Sequence, residues 1–208
     1  MIAPLRSAPP PSRAAAALGD ARGGLDFLGP EFLTWLWWRA AQAPGFTHPD
    51  GTEVFVHLDE HLELRGERAA ARRTVLRSGV PGASAEARAA LKSGKTLVAA
   101  RVLLVRGEEE RRVTIKAEDL DFSGLKLPAP EPGPARERLE QSLAGLVRAE
   151  EDLDLCLKAF LEVRLSAAWP AEVLRIRAWV ATPSEDERVG GARARDEQPG
   201  VPPAVPLA

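Results

Sequence analysis

The chain has no tyrosine, a single cysteine and only three histidines among its 208 residues. With Cys156 alone, no internal disulfide can form, and a reducing cytoplasm is the expected compartment. Cys156 sits in an apolar helical pattern, which marks it as a small buried hydrophobe rather than a nucleophile. No apolar run approaches the roughly 18 residues needed to span a bilayer, so no membrane contact is expected. Arg6 and the alanine-rich run at 14–18 resemble an export signal only in part. Prolines break the stretch, Arg13 splits it and Asp20 follows closely. No catalytic motif with the right spacing is present, so neither an enzymatic activity nor a cofactor is expected.

The ends lack periodic apolar residues. Residues 1–24 hold Pro4, Pro9, Pro10, Pro11 and Gly23-Gly24, and residues 183–208 are charged, then rich in glycine and proline. Neither can offset its ordering entropy, so both are expected as disordered tails around one domain at 25–182.

What the chain does have is tryptophan. Three of its five fall in the run Phe32-Leu33-Thr34-Trp35-Leu36-Trp37-Trp38-Arg39. Pro30 suits a first helical turn, Glu31 complements the helix dipole there, and Pro44-Gly45 stops the helix near Ala43. At 100° per residue, Trp38 falls in line with Thr34 and Gln42, beside Glu31, on the otherwise polar side. Either Trp38 packs under a sheet edge of its own chain, or it forms a partner surface. The second alternative predicts a Trp38 partly exposed in the monomer, with Thr34 and Gln42 beside it in a homodimer or partner interface.

Downstream, alternation at 52–58 and 61–65, with Asp59-Glu60 between, predicts a β-hairpin. A third strand is expected at 72–77, then a turn at Gly79-Val80-Pro81-Gly82 and a short helix at 85–92 capped by Ser84 and closed by Gly94. The nearly continuous apolar run at 96–106 reads as a central strand, 111–116 as its neighbour, and 122–127 as a short edge strand. Helical spacing then runs from Pro134 to about Ser166, with an irregularity near 150–152, and a last helix opens at Trp169-Pro170. The short turns favour a single antiparallel sheet of about five strands with helices packed on it, an α+β fold.

Ser93-Gly94-Lys95-Thr96 resembles the end of a phosphate-binding loop, but Ala89 stands where that loop needs glycine, and Lys-Thr opens a strand rather than a helix. His57 and His61 flank Asp59 and Glu60 without a metal-ligand spacing, so a solvated turn is expected there and no metal.

Charge is uneven. Residues 65–101 carry nine basic side chains against two acids (+7), and 108–154 carry thirteen acids against seven bases (−6), within a net charge of −2. Arg65, Arg72, Arg73, Arg77, Lys92 and Lys95 are the candidate contacts to a phosphate backbone. Alternatively, they pair with the acidic second half of the chain.

The run Phe27-Leu28-Gly29-Pro30-Glu31-Phe32-Leu33-Thr34-Trp35-Leu36-Trp37-Trp38 resembles the RdgC family of recombination-associated DNA-binding proteins. Glu86-Ala87, Ala90-Leu91 and Gly124-Leu125-Lys126-Leu127-Pro128 are compatible with it. The resemblance spans residues 27–179 of a chain shorter than its better-known members. It implies a non-enzymatic protein that binds duplex DNA without sequence preference, forms ring-like dimers and modulates recombination. The alternative is an interaction or scaffold domain that docks a protein partner through its tryptophan helix.

Overall fold

A computed structural model of the chain describes residues 29–66, 73–77 and 85–182. The two expected tails, the turn at 79–82, Ser84 and Arg72 lie outside the described residues. Among the described residues, four helices and six strands follow in the order α1 (Pro30–Gln42), β1 (Gly45–Thr47), β2 (Glu53–Arg65), β3 (Arg73–Arg77), α2 (Ala85–Lys92), β4 (Thr96–Arg106), β5 (Glu109–Lys116), β6 (Asp121–Lys126), α3 (Ala135–Arg164) and α4 (Trp169–Ala181). The fold is α+β. The sheet is antiparallel throughout in the order β1-β2-β4-β5-β6, and β3 pairs with β2.

The strand β4 is central, as its apolar run requires. The expected hairpin at Asp59-Glu60 is not formed: β2 is one strand of 13 residues. Between Leu58 and Leu62 its pairing moves only from Val102 to Ala100 on β4. Two extra residues are therefore absorbed in a bulge. Because the number is even, Val54, Val56, Leu58, Leu62 and Leu64 all keep to the core side. A second irregularity pairs Glu63 with Ala99 and Leu64 with Leu97, one extra residue on β4. Burial on β4 accordingly changes parity at Ala99-Ala100. The length of β2 gives it two partners along one edge. β1 pairs with its first residues and β3 with 61–65.

Helix α1 lies between this sheet and the helices α3 and α4. Every residue from Glu31 to Trp38 is buried, so an apolar belt all round the helix is what its position demands. Trp35 and Phe32 each meet the Phe160 ring at 5.5 Å, Trp37 meets Trp179 edge-on at 5.1 Å, and Phe160 meets Trp169 at 5.8 Å. Trp38, expected on an exposed side, is 9% exposed and belongs to this core. Thr34 is buried too and donates to the Pro30 carbonyl at 2.7 Å, while Gln42 alone of the three is exposed. Glu31, beside them, is buried with a partner from far along the chain: it accepts from Arg164 at 2.8 Å. An exposed Trp38–Thr34 surface is thereby ruled out in the monomer.

Helix α3 runs unbroken through 150–152, where an irregularity was expected. Asp152 is held there by charge partners from the sheet. No helix among the described residues is long and apolar enough to cross a membrane.

Candidate nucleic-acid interface

The backbone register gathers part of the basic segment. Arg65 at the end of β2 pairs with Arg73 at the start of β3 and with Thr96 at the start of β4. Lys95 immediately precedes Thr96, and its ammonium donates to Thr74 Oγ1 at 2.6 Å. Arg65, Arg73 and Lys95 thus come to one end of the sheet. Arg77 lies four residues along β3, opposite His61. Lys92 closes α2 and is exposed. Gly94, with φ +89, reverses the chain so that Lys95 N–H reaches the Ala90 carbonyl at 3.1 Å and a strand follows at once. A phosphate-binding loop would need a helix there instead. Arg72 is outside the described residues.

Among the described side chains, the acidic half reaches this end through Glu118. Arg65 meets Glu63 at 3.5 Å and Glu118 at 3.9 Å, and its side chain remains 56% exposed. Such exposed, long pairs are individually weak. Among the described residues, neither Lys92 nor Lys95 forms an ion pair. Arg88 was in the basic count but not among the candidate contacts. It stands one helical turn before Lys92, stacks over the Trp179 ring at 5.2 Å and donates to the Thr182 carbonyl at 3.4 Å. Arg88, Lys92, Ser93 and Thr182 line an open groove of about 350 Å³. The four-residue spacing of Arg88 and Lys92 on a short helix was the available signal.

Elsewhere the histidines do not converge. His57 is exposed on β2 opposite Leu103, and Asp59 accepts from Arg112 at 3.2 Å. No group of three or more His, Cys, Asp or Glu side chains among the described residues could hold a metal ion.

A second polar cluster had no sequence signal. His48, between β1 and β2, bonds Asp152 of α3 through Nε2 at 2.9 Å. The same carboxylate accepts from Arg111 at 2.7 Å and Arg106 at 3.4 Å. Arg111 also pairs with Glu109, which Arg148 reaches at 3.1 Å. A His–Asp pair needs a nucleophile to catalyse acyl transfer. The nearby Cys156 is fully buried, and burial together with the Asp152 charge pushes its thiol up to about 12. It is no thiolate at neutral pH. The cluster instead locks α3 to the β4–β5 end of the sheet.

Compared with known proteins, the chain matches no family model, no curated protein and no solved structure.

Proposed function

We propose that this is a non-enzymatic, RdgC-like protein that binds duplex DNA without sequence preference and thereby modulates recombination. One observation carries the binding surface: the cross-strand pairing of Arg65 with Arg73, with Lys95 beside them and Lys92 close in sequence. Strand-end cations follow a phosphate backbone without reading base edges, which gives affinity without sequence preference. The net charge of −2 keeps that affinity modest.

The test is binding of a labelled duplex at several salt concentrations. Affinity should fall as salt rises, alike for unrelated sequences. Arg65→Glu and Lys95→Glu should each weaken binding to all of them and lower the salt slope by about one per lost phosphate contact. No binding at low salt, or binding indifferent to both reversals, would defeat the proposal.

A second reading is an interaction domain. The tryptophan helix does not favour it, because that helix is core. The half-exposed leucines of α3 do. A chain that associates with protein but ignores DNA at low salt would be of this kind.

A further inference from the structure

Helix α3 is apolar on two sides, and the described residues bury only one of them. Its buried side consists of Gly145, Ala149, Asp152, Cys156 and Phe160. A second stripe holds Leu139, Leu143, Leu146 and Val147, which are 60%, 52%, 48% and 52% exposed. At 100° per residue, its centre lies about 130° round the helix from the buried side. The helix also outruns its support. Of residues 135–144, only Ser142 is even partly covered, and burial begins at Gly145. Among the described residues this ten-residue stretch is tied to the preceding segment where Gln141 accepts from the Glu131 N–H at 2.8 Å, but so little of it is covered that it is marginal in water, and leucines on it add a solvation cost.

The charges along the stripe identify its occupant. Arg136 lies at its start and Glu150 at its end, on the same side as the leucines. Two such helices laid antiparallel about a two-fold axis at Leu143 set Leu143 against its own copy and Leu139 against the second copy's Val147. The same register sets Arg136 against Glu150 of the second copy. A parallel pairing would instead oppose Arg136 to Arg136 and Glu150 to Glu150. Arg136 now bonds Glu140 at 2.9 Å within its own helix, with both side chains well exposed, so exchanging that pair costs little.

We infer that α3 is a self-association helix, through which two copies of the chain pair antiparallel about Leu143. The isologous contact closes on itself and yields a dimer rather than a filament. Four half-exposed side chains offer less than the roughly 800 Å² per partner of a durable interface, so the dimer is a weak one that exchanges with monomer.

The experiment is sedimentation of the full chain over a wide concentration range, without DNA, so that its outcome is independent of the DNA proposal. A reversible monomer–dimer equilibrium is expected. Leu143→Arg should weaken it at least about tenfold, which is about 1.4 kcal/mol, with the thermal unfolding midpoint unchanged because the side chain is exposed. Arg136→Glu and Glu150→Arg should each weaken it, and the double reversal should restore it. A chain monomeric at every concentration would overturn the inference, and so would a dimer indifferent to Leu143→Arg. Monomers whose 135–147 amides are protected from hydrogen exchange would show another part of the chain on the stripe and overturn it too. Failure of the double reversal to rescue would overturn the antiparallel register.

Discussion

Arg111 and Asp152 are both wholly buried, and the guanidinium donates to the carboxylate at 2.7 Å across the junction of β5 and α3. Removing Asp152 leaves the buried Arg111 with Glu109 as its remaining charge partner and takes from Arg106 and His48 the carboxylate they share. Asp152→Ala should therefore destabilise the fold by about 3–5 kcal/mol, measured by denaturant unfolding. Replacing both, as Arg111→Met with Asp152→Leu, should recover most of that loss, since Arg106 keeps Glu151 at 3.3 Å and Glu109 keeps Arg148 at 3.1 Å. A double variant as unstable as the single one would mean that the wider network, not this pair, supplies the stability.

Trp38 is the second case. It is large, buried and part of the core cluster. Trp38→Ala should cost about 3–5 kcal/mol of stability. Its effect on dimerisation should be no greater than that loss of fold explains. Sedimentation and thermal unfolding of the same variant separate the two. A stable Trp38→Ala that fails to associate would return this residue to an interface.

Most of the fold was legible because most of it is local. The helices at 85–92 and 169–181 form where the sequence places them, with Gly94 after the first and Pro170 in the first turn of the second, and β4 is central because its run is apolar on both faces. The hairpin failed because Asp59-Glu60 has turn chemistry. The even-numbered apolar positions that continue from Val54 to Leu64 were the better guide, since a single bulged strand preserves them. The surface was harder. Helical projection sorts residues by type, yet Glu31 is buried because Arg164, 133 positions away, supplies its partner. His48 finds Asp152 across 104 positions. The basic segment was visible as composition, but only the register shows that Arg65 and Arg73 meet while Arg77 lies further along the strand.

Gly29 opens α1 at a point where the backbone has no room. A methyl group on its α-carbon would run into the carbonyl oxygen of Ala117, a backbone atom that cannot swing aside. Gly29→Ala should cost at least about 1–3 kcal/mol. An unfolding midpoint equal to that of the wild type would show that the 117–120 turn yields freely.

Cys156 should be chemically silent in the native state. Its side chain is fully buried and its thiol is pushed up to about 12, first by burial and then by the Asp152 charge. Alkylation by iodoacetamide at neutral pH should proceed only through unfolding and quicken in Asp152→Ala in step with its lost stability. Rapid modification of the folded chain would show that α3 opens locally.

The last prediction concerns pH. Burial raises the Glu31 carboxyl above its ordinary value, and the hydrogen bond and charge of Arg164 pull it back only in part. The folded protein therefore takes up this proton at a higher pH than the unfolded chain does. Protons bound in excess by the native state make stability fall as pH rises through that window. Glu31 thus costs stability at neutral pH and ceases to do so once the pH drops below the ordinary carboxylate range. Glu31→Gln removes the titration while keeping the shape. The unfolding free energy of the wild type minus that of Glu31→Gln should accordingly increase as pH is lowered from 7 toward 4. A difference that shrinks instead would mean that Arg164 outweighs burial and that the ion pair, rather than its desolvation, governs this end of α1.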